Sequence, residues 1–285
     1  MDLQGNTALI TGASSGIGRD LAVMLAEKGA NLVLVSRNIS VLKELALNLE
    51  RDYYIRACVI GYDLSTDCAA QFVFDECLKR GLIIDILINN AGFALTTDEY
   101  FKYPDKARAM LNLMVITPSE MCILFSKPMK ERGYGYIMNV SSISAYFPVS
   151  PLISYGAIKT FLQKYTAELR YALKRSGIKV SCLMPGATMT GFFSMDKYPV
   201  PVWVQRIFFC PSYKVAKKGI NGMLRGKREI VPGFAAKLAL WIFNLLPDGA
   251  VNGFFSFIEK IRVGIMQKET ETTVNSQTEE TGEET

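Results

Sequence analysis

An α/β fold built on a doubly wound parallel sheet is what this 285-residue sequence predicts. Three observations carry it. Short apolar runs alternate with longer stretches of helical period over the first two-thirds of the chain. The apolar runs show no clean polar alternation, as expected of strands covered on both faces. A glycine-rich turn stands between the first run and the first helical stretch.

Taken in order, Thr7–Thr11 (TALIT) is the first strand, and a helix follows over Ile17–Lys28 with apolar residues at 17, 21, 24 and 25. Asn31–Val35 is the second strand, and Val41–Leu49 lies in the second helix. Ala57–Ile60 and Asp85–Ile88 read as strands three and four, with a helix over 69–79 between them. A long helix spans 105–131, Tyr136–Val140 is the fifth strand, Tyr155–Lys174 a further helix and Lys179–Leu183 the sixth strand. Glu229–Val231 closes the series. Helices of this length between strands are crossover connections, which parallel pairing requires.

Composition bounds the chemistry. Hydrophobic residues make up 49% and charged residues 21%, an ordinary globular balance. There is no histidine, which excludes a histidine base, a His–Cys nucleophile pair and histidine metal ligands. The six cysteines, at 58, 68, 77, 122, 182 and 210, form no C-x-x-C pair and read as reduced thiols, so no metal is expected and a reducing compartment is favoured. The start, Met1 to Gly5, has neither a basic nor an apolar signal region, and no apolar run reaches the length of a membrane span, so the expected location is cytoplasmic. Net charge is +5; residues 266–285 hold one lysine and six glutamates, which leaves 31 basic and 21 acidic residues, or +10, for residues 1–265. No dense Lys/Arg cluster points to nucleic acid.

The first strand runs into Thr11-Gly12-Ala13-Ser14-Ser15-Gly16-Ile17-Gly18 and then a helix. Glycine lets the backbone turn sharply and approach a pyrophosphate, and the helix N-terminus offers free N–H groups to that anion. This strand–turn–helix context is the Rossmann-type dinucleotide site. An NAD site carries an acidic residue about 20 positions on; here the sequence is Val35-Ser36-Arg37, without a carboxylate and with an arginine able to pair with a 2′-phosphate. The cofactor expected is therefore NADP(H), ahead of NAD(H). Asp63, after strand three, is a candidate for the adenine edge, or else a turn or cap residue.

Tyr155 and Lys159 stand four apart in a helix and so share a face. A tyrosine with its ordinary pKa of about 10 is a poor acid–base group, and a neighbouring ammonium lowers it. Ser141 and Ser142 end strand five, Asn89-Asn90-Ala91-Gly92 ends strand four, and Pro185-Gly186 ends strand six. Open parallel sheets hold their ligands at that edge, so these groups read as one site.

These residues resemble the short-chain dehydrogenase/reductase family over about residues 5–232. The glycine turn 11–18, Asn-Asn-Ala-Gly at 89–92, Tyr155 to Lys159, Ser142 thirteen residues before the tyrosine, Asn112, and Pro185, Gly186 and Thr190 all match its pattern. The resemblance implies an oxidoreductase that interconverts a carbonyl and a secondary alcohol with a nicotinamide cofactor. Tyr155 would exchange the proton, Lys159 would hold the cofactor ribose and tune Tyr155, Ser142 would steady the substrate oxygen and Asn112 would support a water-linked relay. Thr11, Gly12, Ser14, Ser15, Gly16, Ile17, Gly18, Arg37, Asp63, Asn90, Ala91, Gly92, Tyr155, Lys159, Pro185, Gly186, Thr188 and Thr190 form the expected cofactor site. The resemblance implies no metal, and it implies a homodimer or homotetramer paired through the helices 105–131 and 155–174.

Residues 188–212 follow strand six, where the family places a substrate-covering loop; their Phe, Trp, Met and Val content suits a lipophilic fatty acyl or steroid-like carbonyl, or equally packing onto the core. The division expected is a cofactor-binding catalytic domain over 1–232, an apolar helical extension over 233–265 and a disordered acidic tail over 266–285. Within the extension, 235–246 and 250–258 flank Pro247-Asp248-Gly249. They read either as an amphipathic hairpin on a membrane surface or as helices packed on the domain or a partner, and Lys237, Asn244 and Asp248 favour the second. Two alternatives to a cytoplasmic enzyme stand beside it: an NADP(H)-sensing binding protein with a regulatory C-terminus, and a membrane-associated reductase of lipid metabolism.

Overall fold

The computed structural model describes residues 2–147, 152–189, 209–243, 245–247, 249–253 and 255–257. The apolar runs become strands β1 (Thr7–Thr11), β2 (Asn31–Ser36), β3 (Ala57–Gly61), β4 (Ile86–Asn89), β5 (Gly135–Val140) and β6 (Ile178–Leu183). Two-residue strands β7 (Thr188–Met189) and β8 (Cys210–Pro211) pair with each other, and β9 (Glu229–Ile230) pairs with β6. The main sheet has seven strands in the order β3-β2-β1-β4-β5-β6-β9, every pairing parallel. This is the Rossmann-type, doubly wound fold expected, in one domain.

Period-two alternation divides the strand side chains between two cores. Ala8, Ile10, Leu32, Leu34, Ile86, Ile88 and Met138 pack against helices α1 (Gly16–Ala26), α2 (Ile39–Tyr53) and α8 (Ser212–Leu224). Leu9, Val33, Val35, Leu87, Ile137 and Val180 face α3 (Ala69–Lys79) and α6 (Thr117–Arg132). Both sheet faces are therefore apolar, which is why the strands lack a polar side. At about 25 cal/mol per Å² of apolar area, burial on two faces is the dominant stabilising term of such a layer.

The helix expected over 105–131 is more complicated. A short α4 (Thr97–Lys102) precedes α5 (Pro104–Leu111), which continues through a π-helical turn at Asn112–Ile116 into α6. The Thr96 side chain and Glu99 cap α4 reciprocally. By length and mean hydropathy the continuous stretch Pro104–Arg132 is sufficient to cross a membrane, which the sequence reading did not anticipate. Met121, Cys122, Phe125 and Met129 of this stretch are buried in the sheet core, which accounts for its apolar composition.

The strand order reverses between β1 and β4, and α7 (Tyr155–Ala172) follows β5. Helix α9 (Phe234–Phe243) begins the C-terminal extension. Its Ala236, and Val251 farther on, are buried. Ring centroids of Phe147 and Phe243 stand 4.8 Å apart, and those of Phe147 and Phe255 stand 5.7 Å apart in a stacked arrangement. The extension thus packs back onto the domain. Thr190, residues 190–208 of the expected covering loop, Asp248 and the acidic tail lie outside the described residues.

Candidate active site

The glycine turn is held by the end of β4. Thr11 Oγ1 accepts the N–H groups of Asn90 at 2.9 Å and Ala91 at 3.0 Å. Asn90 Nδ2 donates to the carbonyls of Thr11 at 3.0 Å and Gly12 at 3.3 Å. Gly12 adopts φ +67° and its N–H donates to Val35 O at 2.8 Å. A Cβ on Gly18 would overlap the Gly12 carbonyl and the Asn90 amide, so only glycine lets helix α1 start this close to β1. Ser15, the N-cap of α1, is extended and makes no side-chain cap, which leaves the first N–H groups of the helix to an external acceptor. Ser14, Gly16 and Ile17 belong to the same turn, partly accessible, while Gly92 packs beside Met114.

At the end of β2, Arg37 is exposed and its Nη1 stands 3.9 Å from Asp63 Oδ2. An exposed pair of this length contributes about 0–1 kcal/mol, too little to hold the guanidinium away from a phosphate. Asp63 Oδ1 accepts both the Ser65 N–H at 2.9 Å and the Ser65 hydroxyl at 2.7 Å. Burial works to raise its pKa, but these bonds and the Arg37 charge outweigh it and leave the carboxyl below its ordinary value. The turn role is thus real, and Oδ2 remains directed toward Arg37. Beside Arg37, the Ser36 hydroxyl is buried without a hydrogen-bond partner. A buried hydroxyl left unpaired costs about 1–3 kcal/mol, and a bound anion at this edge would satisfy it. The glycine cradle and this orphan hydroxyl fit a phosphorylated dinucleotide.

The second half of the site stands at the ends of β5 and β6. Ser141 N–H donates to Leu183 O at 2.8 Å and Ile143 N–H to Pro185 O at 3.0 Å, zipping the two strand ends together. Ser141 Oγ donates to Lys159 O at 2.7 Å and fixes α7 to the sheet. Ser154, immediately before α7, takes φ +70°, a conformation uncommon outside glycine, and Tyr155 is the first residue of the helix. Gly156 faces this segment; a Cβ there would stand 3.3 Å from Ser144 O.

Tyr155 and Lys159 are both buried, and the Lys159 ammonium stands 5.5 Å from the Tyr155 ring centroid. Lys159 Nζ donates to Val140 O at 2.8 Å. Burial raises the Tyr155 pKa, with a hydrogen bond from Ser142 working the other way. Burial likewise lowers Lys159 to about 8. The spacing argument, that the ammonium brings the tyrosine down, therefore fails: desolvation wins, and the ammonium is bonded to a backbone carbonyl. Ser142 also accepts the Ser144 N–H at 3.2 Å.

Asn112 stands apart from this group. Its side chain donates to Ser65 O at 3.1 Å and Asp67 Oδ1 at 3.2 Å, and its carbonyl accepts the Thr117 N–H that closes the π turn. Between that turn and Lys159 lies a small cavity of about 10 Å³, lined by Thr11, Asn89, Met114, Thr117 and Lys159 among others. That is the size of one water. Thr188 is buried and its hydroxyl donates to Gly186 O at 2.9 Å.

Several supporting residues escaped the sequence reading. Asn139 and Thr166 are two of them: Asn89 Nδ2 donates to Asn139 Oδ1 at 2.9 Å, and Asn139 Nδ2 donates to Thr166 Oγ1 at 2.9 Å, a buried chain tying β4, β5 and α7. An asparagine inside the otherwise apolar run of β5 was the available signal. Glu229 accepts from Tyr146 at 2.7 Å and from Gln163 at 2.9 Å, joining the segments after Ser142 and after Lys159. The cysteines are free thiols, and burial pushes Cys77, Cys122 and Cys182 up to about 12. Among the described residues no cluster suited to a metal occurs.

Known proteins share this arrangement. The model of the family described as short chain dehydrogenase matches residues 6–197. The very-long-chain 3-oxoacyl-CoA reductase of Rattus norvegicus is 33% identical over 188 residues, 64% of this chain and 59% of that relative's length. Hydroxysteroid dehydrogenase-like protein 1 of Gallus gallus is 32% identical over 233 residues, 81% of this chain and 68% of the relative. The short-chain dehydrogenase from Sphingobium yanoikuyae in complex with NADPH superposes with a TM-score of 0.74 at 27% identity, covering 88% of this chain and 95% of that one. Sheet order, glycine turn and family match agree: the chain belongs to the short-chain dehydrogenase/reductase family of oxidoreductases.

Proposed function

We propose that the chain is an NADP(H)-dependent oxidoreductase that interconverts a lipophilic carbonyl compound and its secondary alcohol. The observation that carries this is the buried pair Tyr155 and Lys159, with the half-buried Ser142, standing at the same sheet edge as the glycine cradle. The nicotinamide, when bound, supplies or accepts the hydride. Tyr155 gives its proton to the substrate oxygen in reduction, and a pKa raised by burial keeps that proton in place until the oxygen needs it. Ser142 donates to the same oxygen and orients it. Lys159 holds the cofactor ribose, and the water-sized cavity behind it connects it toward the turn at Asn112, along which the proton is replaced. Arg37, with the Ser36 hydroxyl, takes the 2′-phosphate, Asp63 bonds the adenine edge, and Asn90, Ala91, Pro185, Gly186 and Thr188 flank the nicotinamide half.

A lipophilic substrate is supported by the apolar surroundings of Tyr155: Leu95, Met110, Met114, Leu152 and Ile158 pack with it, and Phe93 lies against them. The names of the relatives, a 3-oxoacyl-CoA reductase and a hydroxysteroid dehydrogenase-like protein, agree. Titration with NADPH and NADH tests the cofactor assignment. Wild type binds NADPH more tightly, and Arg37→Asp loses that preference; equal or tighter NADH binding by wild type sinks it.

A second reading, association with a lipid surface through 235–258, is favoured by one observation. Phe234, Leu238, Trp241 and Ile242 are all exposed along one stripe of α9. Wild type then floats with anionic vesicles and Trp241→Asp does not; wild type remaining unbound removes the idea. Exposed Ile123 on α6 and Phe161 on α7 support pairing of two copies through those helices, which light scattering reads directly.

A further inference from the structure

Ser142 and Tyr155 must meet the same substrate oxygen, yet they stand on separate elements. Ser142 is the N-cap of the tight turn Ile143–Ala145, and Tyr155 opens α7. Thirteen positions of chain separate them, a stretch that does not by itself fix their distance. Lateral bonds between turn and helix do so instead. Thr160 Oγ1 donates to Ala145 O at 2.9 Å. A second tie runs through Glu229, whose Oε2 accepts the Tyr146 hydroxyl at 2.7 Å and whose Oε1 accepts Gln163 Nε2 at 2.9 Å. Gln163 Nε2 also donates to the Tyr146 oxygen at 3.4 Å, which closes the three side chains into a ring.

Each member of the ring holds a different part of the site. Tyr146 caps the turn that Ser142 opens: its N–H donates to Ile143 O at 3.1 Å, and Ala145 N–H donates to Ser142 O at 3.2 Å, so the turn moves as one piece. Gln163 follows Tyr155 and Lys159 at successive intervals of four on α7, and all three are buried along one stripe of that helix. Glu229 stands on β9, where Cys182 N–H donates to Arg228 O and Met184 N–H to Ile230 O, both at 2.8 Å. Its backbone is thereby fixed to the sheet, and its carboxylate grips both the turn bearing Ser142 and the helix bearing Tyr155. Burial, together with this carboxylate, pushes Tyr146 up to about 12, so Tyr146 keeps the proton that it donates.

We propose that Glu229 is a positioning residue for the reaction: by gripping Tyr146 and Gln163 it sets the distance between the Ser142 and Tyr155 hydroxyls. The inference rests on the oxidoreductase reading of that site and adds to it a residue from outside the region that the family model matches, residues 6–197. Strand β9 does not need the carboxylate to stay in place, because its ladder to β6 and the burial of Ile230 hold it. A misplacement on the order of 1 Å costs a reaction about 10²-fold, so a slight loosening of the ring is visible in kcat. Arg228 Nε stands 3.7 Å from Glu229 Oε1 but is exposed, and solvent screening leaves it little part in the grip.

The test is steady-state reduction of lipophilic alkyl and aryl ketones with NADPH by wild type, Glu229→Gln and Tyr146→Phe, with and without Ser142→Ala. Glu229→Gln keeps the size of the side chain but turns an amide donor toward one of its two donors. Tyr146→Phe, at a half-exposed position, opens the same ring and keeps the test in hand should Glu229→Gln not fold. Each lowers kcat about ten-fold with KM for NADPH unchanged, and the two together fall no further than one alone. In the Ser142→Ala background the loss on Glu229→Gln shrinks to about three-fold or less, because the hydroxyl it placed is gone. Arg228→Ala keeps the wild-type kcat. A kcat for both ring variants within about two-fold of wild type overturns the proposal. So does an undiminished loss in the Ser142→Ala background, an equal loss in Arg228→Ala, or a fall in kcat matched by a rise in KM for NADPH. If wild type reduces none of the ketones, the oxidoreductase reading is what fails. The grip is then read by thermal unfolding, as the coupling between Ser142→Ala and Tyr155→Phe, whose side chains share a hydrogen bond. Loss of that coupling in the Glu229→Gln background supports the proposal, and coupling that persists overturns it.

Discussion

Lys159→Met separates what the buried cation does for the reaction from what it does to the fold. Lys159 is 4% exposed, and burial lowers its pKa from an ordinary 10.5 to about 8. Below pH 8 the folded and unfolded chains both carry the proton, and the folded one bears the full cost of a desolvated ammonium. Between pH 8 and 10.5 the unfolded chain holds a proton that the folded one has released, so stability rises with pH; above 10.5 the cost is gone. At about 1.36 kcal/mol per pH unit the interval amounts to about 3 kcal/mol. Methionine removes that cost but leaves Val140 O without its 2.8 Å donor, a loss of about 1–3 kcal/mol. The variant should therefore be as stable as wild type or up to about 2 kcal/mol more stable at pH 7. It should lose that standing by about 2–3 kcal/mol as pH rises to 10. Urea denaturation of both cofactor-free proteins across that range reads the difference, in which the tyrosines and cysteines common to both largely cancel. Turnover is lost at every pH. A stability difference that stays flat with pH refutes the reasoning.

Three further outcomes are expected. Gly18→Ala places a methyl group against the Gly12 carbonyl and the Asn90 amide, and overpacking of this kind costs about 1–3 kcal/mol; a lower melting temperature and a smaller thermal shift with NADPH check it. Ser142→Ala removes the hydrogen bond to Tyr155 and lowers kcat more than it raises KM, read by steady-state kinetics. Glu229→Gln weakens the link between Tyr146 and Gln163 and costs about 1–2 kcal/mol by urea denaturation.

Much of the fold could be read because its signals are local. The run Thr7 to Gly18 contains strand, turn and helix start in contiguous residues, and the structure shows Gly12 and Gly18 at positions where a side chain has no room. Tyr155 and Lys159 share a helix, so spacing brought them together. What escaped depends on partners far along the chain. Glu229 meets Tyr146 and Gln163 across 83 and 66 residues, and nothing near Glu229 announces them. The π turn at Asn112–Ile116 was hidden because helical periodicity continues on both sides of it. The tyrosine pKa was misjudged because spacing reveals a neighbouring charge but says nothing of desolvation, which is a property of the packed site. Helix and apolar character in the extension were legible, but its return to Gly186 and Phe147 was not.

The most direct test of the central claim is reduction of lipophilic carbonyl compounds with NADPH by wild type and Tyr155→Phe, with NADPH binding measured on both. Wild type should turn over, and Tyr155→Phe should bind NADPH with unchanged affinity while turnover falls about 10²–10⁴-fold. NADPH binding without turnover by wild type on a broad panel, or turnover that survives in Tyr155→Phe, would contradict the claim; the first result would point to a protein that senses the cofactor instead.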